Sequence, residues 1–112
     1  MRLILAALLL AGPVFADPPA ALVRINREVN DRAFYEFYEA KDFRYLKEGD
    51  SGNCAAFTWT KFVELVKAGE KPVIRSCTLK SGVGHAFVEV DGWVGDNRWD
   101  EPVPIADVGC RD

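Results

Sequence analysis

A two-residue Asp91-Gly92 step between two strand-like segments constrains the fold of this chain more than any other feature. The segment before it spans residues 85–90, and the segment after it spans residues 93–97. Asp-Gly at such a step favours a tight β-hairpin, because the turn needs residues that tolerate positive φ angles. With a two-residue turn, Val90 pairs with Trp93, and the pairing of the other residues in the hairpin follows from it.

The segments before the hairpin are helical and then strand-like. A helix is predicted from Ala20 to about Phe37, because apolar residues recur there at spacings of three or four. A second helix is predicted from about Cys54 to Lys67, with Ser51 or Asn53 able to cap its start. Residues 73–78 are predicted to form a strand. The aromatic residues at the end of the first helix are expected to pack in the core: Phe34, Tyr35, Phe37 and Tyr38.

This order of elements indicates the class of fold. Helices come first and antiparallel strands follow, which is typical of an α+β fold rather than of alternating α/β folds. We expect the N-terminal helices to pack on a small antiparallel sheet. The sequence contains no internal repeat and no linker, so residues 17–112 are predicted to be a single domain.

Residues 1–16 have the layout of a secretory signal peptide. Arg2 precedes an apolar run over residues 3–10, and Val14 and Ala16 occupy the positions where signal peptidase favours small residues. The run is shorter than the roughly 20 residues that cross a membrane. No cysteine follows it closely, so a lipid anchor is not expected. We therefore predict cleavage after Ala16, a periplasmic or secreted protein, and no stable membrane anchor after cleavage.

The charge of the chain argues against one large class of partners. The chain carries 14 basic and 17 acidic residues. Loss of Arg2 with the leader would leave a net charge of −4, without clusters of Lys or Arg. A nucleic-acid or anionic-membrane surface depends on such clusters, so neither partner is expected.

Three cysteines are present in a chain that is predicted to enter an oxidising compartment. An odd number leaves one thiol unpaired unless a bridge to another molecule forms. Three intramolecular pairings are possible, and we favour Cys77–Cys110 because Cys54 lies in a context that suits a reactive thiol. The alternative is that all three are small buried residues and that none of them reacts.

Cys54 begins the predicted second helix, directly after a loop that contains glycine. Unpaired N–H groups and the helix dipole favour negative charge at a helix start. A thiol placed there is expected to have a lowered pKa and more of the nucleophilic thiolate form. The backbone N–H of Cys54 is also expected to stabilise an oxyanion on a substrate carbonyl.

His85 and Asp96 are the candidate partners of this thiol. His85 is the only histidine of the chain and begins the first strand of the hairpin. In the register set by the Asp91-Gly92 turn, His85 lies opposite Arg98, and Asp96 lies one diagonal step away on the same face. A carboxylate beside an imidazole fixes its tautomer and stabilises its charged form. A turn that slipped by one residue would place the two side chains on opposite faces.

Together these residues predict a catalytic triad. Cys54 is the expected nucleophile, His85 the general acid and base, and Asp96 the orienting partner of the histidine. The triad needs no cofactor, and none is expected. The sequence has no zinc-binding spacing and no phosphate-binding glycine loop.

The motifs around the triad resemble those of the bacterial transglutaminase-like cysteine proteinases, a branch of the papain-like enzymes. Residues 52–57 (Gly-Asn-Cys-Ala-Ala-Phe) correspond to the family's Gly-Asp-Cys-Glu-Asp-Tyr motif. Residues 84–88 match its histidine strand, residues 95–97 match its Leu-Asp-Asn, and residues 25–30 resemble its Asn-containing first helix. The resemblance covers most of the mature chain. It implies a minimal papain-like or transglutaminase-like core, a thiol peptidase activity carried by the same triad, and a periplasmic setting.

The chain departs from this family beside the cysteine. Some members bind calcium through acidic residues there, whereas this chain has Asn53, Ala55 and Ala56. These side chains lack the charged oxygens that calcium prefers, so no metal site is expected. The chain is also shorter than a full family member between Phe43 and Gly52, which is expected to leave the cleft open or reshaped.

We therefore expect an exported hydrolase that cleaves a peptide or amide bond through a thioester intermediate. Its substrate would be a protein or a peptide, including the peptide part of the cell wall. The alternative is a catalytically degenerate relative that binds or inhibits an envelope partner, which the altered cysteine motif and the small size favour. A third interpretation is a structural exported domain with an accidental resemblance. A transglutaminase that joins glutamine to an amine uses the same triad, so the sequence does not separate transfer from hydrolysis.

Overall fold

The computed structural model describes residues 16–112, and the predicted signal peptide lies outside these residues except for Ala16. The elements, in chain order, are α1 (Ala20–Arg32), β1 (Phe34–Tyr35), β2 (Ser51–Gly52), α2 (Cys54–Lys67), β3 (Val73–Thr78), β4 (Gly84–Val90), β5 (Trp93–Gly95) and β6 (Val103–Pro104). A short 3-10 helix over Ile105–Asp107 follows β6. Two helices with a four-stranded antiparallel sheet confirm the predicted α+β class. No helix within residues 16–112 is long and apolar enough to cross a membrane.

Strands β3 to β6 form the antiparallel sheet, with neighbours in chain order. The Asp91-Gly92 turn joins β4 to β5, and Val90 pairs with Trp93, as the sequence predicts. Asp91 and Gly92 both have positive φ angles, which explains why an Asp-Gly step occupies this turn. This register places Asp96 on the same face as His85.

The two faces of the sheet are covered by different parts of the chain. One face carries Val88 and Val90, which pack against α1 and α2 in the main core. The opposite face carries Phe87 and Val94, which pack against Val108 of the C-terminal segment. The sheet is therefore a middle layer between the helices and the end of the chain.

A disulfide between Cys77 and Cys110 joins β3 to the C-terminal segment and confirms the pairing favoured from the sequence. The N–H of Arg111 donates to the carbonyl of Thr78 at 2.9 Å and extends this attachment. Within the described chain, Cys54 is the one cysteine without a disulfide partner. A disulfide is compatible with the extracytoplasmic setting that the leader predicts.

The first helix ends earlier than the sequence predicts. It stops at Arg32 rather than near Phe37, and Phe34 already lies in strand β1. Strand β1 pairs in parallel with β2, and the N–H of Glu36 also donates to the carbonyl of Gly52 at 2.9 Å. Aromatic residues fit strands well, and this pairing supplies partners for backbone groups that a longer helix would have used.

The aromatic residues after α1 are largely exposed, so the prediction that they pack in the core is wrong. The exposed fraction is 67% for Phe34, 47% for Tyr35 and 60% for Phe37. They belong to residues 33–53, called the connecting segment below, which links α1 to α2 with little regular structure. This segment forms one wall of a cleft.

Candidate functional site

An open cleft with a volume of about 820 Å³ lies between the connecting segment and the β3–β4 end of the sheet. Its lining includes Cys54 and His85, the predicted nucleophile and base. The connecting segment contributes Tyr35, Phe37 and Phe43 to the lining. The thiol and the imidazole therefore meet in a cleft that a substrate can enter.

The start of α2 leaves one backbone donor free beside the thiol. The side-chain oxygen of Asn53 accepts the N–H groups of Ala55 at 3.1 Å and of Ala56 at 3.4 Å. The main-chain carbonyl of Asn53 accepts the N–H of Phe57 at 3.1 Å. Among the first-turn amides, that of Cys54 alone has no acceptor within the described residues. This N–H is available to a substrate oxygen, as the sequence predicts.

Strand β4 supplies two groups that stabilise the thiolate. His85 lowers the pKa of the Cys54 thiol through its side chain and charge, and the N–H of Ala86 donates to Sγ at 3.4 Å. Burial raises the pKa of Cys54, but the hydrogen bonds with His85 and Ala86 outweigh it and lower the pKa below that of an ordinary thiol. The thiol of Cys54 therefore holds more of its thiolate form than an ordinary cysteine does.

Asp96 contacts the other end of the His85 ring, with 2.9 Å between Nε2 of the imidazole and Oδ2 of the carboxylate. This contact leaves Nδ1 of His85 for the thiol of Cys54. Burial lowers the pKa of His85, but the hydrogen bonds with Asp96 and Cys54 outweigh it and raise the pKa above its usual value. The structure thus brings together all three residues that the sequence singled out.

Arg98 holds the carboxylate of Asp96 in place, a role that was not assigned to it from the sequence. Its Nε donates to Oδ1 at 3.1 Å, and its Nη2 donates to Oδ2 at 2.9 Å and to the carbonyl of Val108 at 2.9 Å. Burial raises the pKa of Asp96, but the hydrogen bonds with His85 and Arg98 hold it well below its usual value. The available signal was the hairpin register, which places Arg98 opposite His85.

Two asparagines of α1 hold the turn that carries Asp96. Nδ2 of Asn30 donates to the carbonyls of Asp96 at 3.1 Å and of Trp99 at 2.9 Å. Nδ2 of Asn26 donates to the carbonyls of Trp99 at 2.9 Å and of Asp100 at 2.8 Å. The sequence marked this helix only through its resemblance to a family helix. The structure shows that its asparagines hold the turn that begins at Asp96.

Lys61 of α2 carries a buried amine. The residue is 1% exposed, and Nζ has no hydrogen-bond partner within residues 16–112. Nζ lies 5.8 Å from the centre of the Phe57 ring. Burial lowers the pKa of Lys61 to about 7, against the opposing effect of the charges on Asp96 and Asp100. The charge of Lys61 therefore changes near neutral pH in the interior of the protein.

The residues beside the thiol do not fit a calcium ion. The side-chain oxygen of Asn53 caps α2, and its Nδ2 donates to the carbonyls of Tyr38 at 3.0 Å and of Ala40 at 2.8 Å. Ala55 and Ala56 are buried and carry no side-chain oxygen. The calcium site of some transglutaminase-like proteinases therefore has no counterpart in these side chains.

No protein-family model matches the chain, and no curated protein matches its sequence significantly. The functional interpretation therefore depends on the side chains of the cleft and on the motifs that carry them.

Proposed function

We propose that this protein is a thiol hydrolase that cleaves a peptide or amide bond through a thioester on Cys54. The observation that carries the proposal is the grouping of Cys54 and His85 in one open cleft, with Asp96 held 2.9 Å from the His85 ring and the pKa of Cys54 lowered by His85. A thiol with a lowered pKa, a base beside it and a carboxylate that orients the base are what nucleophilic thiol catalysis requires. A cysteine that only fills space in a core needs none of these contacts.

In the first half of the reaction, the Cys54 thiolate attacks the carbonyl carbon of the substrate. The carbonyl oxygen becomes an oxyanion, which the N–H of Cys54 stabilises. The carbonyl re-forms as the bond to the leaving nitrogen breaks, and the imidazolium of His85 gives its proton to that nitrogen. The amine product leaves, and the acyl group remains on Sγ as a thioester.

In the second half, neutral His85 accepts a proton from a water molecule as the water oxygen attacks the thioester carbon. The second tetrahedral intermediate expels the Cys54 thiolate and releases the acid. The proton taken up by His85 restores the starting thiolate and imidazolium. Asp96, held by Arg98, keeps the ring oriented through both halves. An amine in place of water would give amide transfer by the same steps.

Separate observations support the compartment and the family relationship that we propose. Residues 1–16 have the layout of a signal peptide, and the Cys77–Cys110 disulfide suits an oxidising compartment. The motifs around Cys54, His85 and Asp96 support kinship with the transglutaminase-like cysteine proteinases. An open cleft lined by aromatic side chains suits a protein or peptide substrate, including the peptide part of a cell wall.

The reactivity of Cys54 is the first test of the proposal. The folded mature protein is alkylated with iodoacetamide across a pH series, digested without reduction and read by mass spectrometry. We expect Cys54 to be labelled rapidly well below pH 8, because its thiolate persists there. In the matched variant His85→Ala, labelling should follow the titration of an ordinary thiol, with a midpoint of about 8.5. A slow thiol in the wild-type protein, with an ordinary titration, would contradict the proposal.

A second candidate function is binding without cleavage, and the exposed aromatic side chains of the connecting segment favour it. Phe34, Phe37 and Phe43 are 67%, 60% and 42% exposed. A binding protein should keep its partner and its biological effect in Cys54→Ala. A hydrolase should keep substrate binding in that variant and lose product formation, so the same variant separates the two functions.

A further inference from the structure

The oxyanion of the proposed reaction has one identified donor, the N–H of Cys54. Two other side-chain donors on the connecting-segment side of the cleft are already engaged. The hydroxyl of Tyr38 donates to Asp42, and the carboxamide nitrogen of Asn53 donates to two main-chain carbonyls. Tyr35 also lines this wall, and with 47% of the residue exposed its side chain faces the open cleft. It is therefore accessible to a substrate.

Backbone pairing holds Tyr35 beside the nucleophile. Tyr35 lies opposite Gly52 in the β1–β2 pair, and Gly52 is two residues before Cys54. The N–H of Glu36 donates to the carbonyl of Gly52 at 2.9 Å and fixes the chain directly after Tyr35. A Cβ atom on Gly52 would lie 2.7 Å from Cβ of Ala56. Glycine thus lets β2, and β1 with it, lie against the first turn of α2.

The ring of Tyr35 is supported on one side and open on the other. Its centre lies 6.1 Å from that of the Phe57 ring, while 47% of the residue remains exposed. Burial raises the pKa of Tyr35, and the negative charges of Cys54 and Asp96 raise it further. The phenol therefore keeps its proton under conditions in which Cys54 is a thiolate. Tyr35 and Cys54 line the same cleft.

We propose that the hydroxyl of Tyr35 is the second donor to the oxyanion, acting together with the N–H of Cys54. The inference rests on the proposed function, because an oxyanion forms only when Cys54 attacks a carbonyl. The O–H of Tyr35 donates a hydrogen bond as negative charge develops on the substrate oxygen, and no proton is transferred. The bond weakens when the carbonyl re-forms, so the tyrosine acts on each of the two tetrahedral intermediates.

Two reactions of the same thiol separate this role from others. Alkylation by iodoacetamide displaces iodide at a saturated carbon and forms no oxyanion. Acylation by p-nitrophenyl acetate passes through a tetrahedral oxyanion and releases p-nitrophenolate. We expect Tyr35→Phe to slow acylation about 100-fold, which is typical for the loss of one oxyanion donor, and to change alkylation by less than about twofold. Tyr45→Phe removes a hydroxyl that bonds to Arg32 and Glu64 outside the cleft, and both rates should stay unchanged.

The outcomes distinguish the inference from the function on which it rests. Equal slowing of both reactions in Tyr35→Phe would overturn the inference, because the residue would then act on the thiolate or on the fold. Unchanged acylation would overturn it as well. If Cys54 of the wild-type protein is alkylated only as an ordinary thiol, the proposed function itself is overturned. This measurement needs the wild-type protein alone and does not depend on Tyr35→Phe. Rapid alkylation together with slowed acylation in Tyr35→Phe supports both.

Discussion

The two walls of the cleft are built in opposite ways. The sheet wall carries His85 and Asp96, which are 7% and 1% exposed and held by charged hydrogen bonds. The connecting-segment wall contains only the two-residue strands β1 and β2, and it leaves aromatic side chains such as Phe37 and Phe43 exposed. The sheet wall is anchored from both sides of the sheet. The connecting segment is anchored mainly where it meets α2.

The difference between the walls matches two tasks of the proposed enzyme. Proton transfer needs a base whose position is fixed to a fraction of an ångström, which buried hydrogen-bonded charges provide. Contact with a peptide needs apolar surface that remains accessible. We infer that the sheet wall serves the chemistry and that the connecting segment serves binding. Tyr35 is the one residue of the segment that we assign to the chemistry.

Removal of the disulfide tests the sheet wall and is expected to have the largest effect on stability. Cys77→Ser with Cys110→Ser opens a loop between residues that are 33 positions apart. The free energy of unfolding should fall by about 3–4 kcal/mol on the loop-entropy account. Urea unfolding followed by tryptophan fluorescence measures the change. An unfolding free energy equal to that of the wild-type protein would show that the C-terminal segment is held without the disulfide.

Lys61→Met tests the buried charge next to the sheet wall. The native pKa of about 7 lies below the usual 10.5, so the folded state disfavours the protonated amine. In the unfolded chain the amine keeps its proton up to about pH 10.5. The free-energy cost of folding with this lysine therefore grows as the pH falls from about 10.5 to about 7, and it stays constant below pH 7. Lys61→Met should therefore raise the free energy of unfolding by about 2–4 kcal/mol near pH 6 and by less than about 1 kcal/mol near pH 10.

Urea unfolding at both pH values measures this effect. Lys67→Met is the matched control, because Lys67 is an exposed lysine of the same helix. It should give no pH-dependent gain. Equal gains for Lys61→Met at the two pH values would mean that lost packing or helix propensity, and not the charge, is responsible.

Asn53→Ala tests the attachment of the connecting segment and is expected to have the smallest effect. The substitution removes the cap of α2 and the bonds to the carbonyls of Tyr38 and Ala40. The loss should be about 1–2 kcal/mol. Asn53→Asp keeps the capping oxygen but replaces the donor with a carboxylate oxygen that faces the same two carbonyls, so its loss should fall on the connecting segment and not on the cap.

Hydrogen exchange separates the two roles of Asn53. Faster exchange over residues 36–43 is expected in both Asn53 variants, whereas faster exchange at the start of α2 is expected in Asn53→Ala alone. If the segment stayed as protected as in the wild-type protein, Asn53 would not be its anchor, and the contrast between the two walls would weaken.

The sheet wall could be predicted from the sequence because its signals are local. The Asp91-Gly92 turn sets the register that places His85 and Asp96 on one face, and Asn53 before Cys54 marks the start of α2. These signals involve residues that are adjacent or nearly so. They were sufficient to bring the three triad residues together.

The connecting segment and the supports of Asp96 could not be predicted in the same way. A run of aromatic residues after α1 fits a longer helix as well as a strand, and only the pairing with Gly52 decides between them. The bonds from Asn26 and Asn30 end on main-chain carbonyls, which any residue offers, and therefore leave no pattern in the sequence. Lys61 resembles an ordinary polar helix position in the sequence, and only the complete fold shows that it is buried.

The asparagines of α1 have a consequence for the order in which the thiol becomes reactive. They connect the first helix to carbonyls 66 to 74 positions later, and Arg98 reaches a further ten positions to Val108. Such distant contacts form late in folding, because the chain must close long loops first. Until they form, Cys54 is an ordinary thiol with no oriented base. On the proposed function, we therefore expect a nascent or incompletely folded chain to be inactive until the fold is complete.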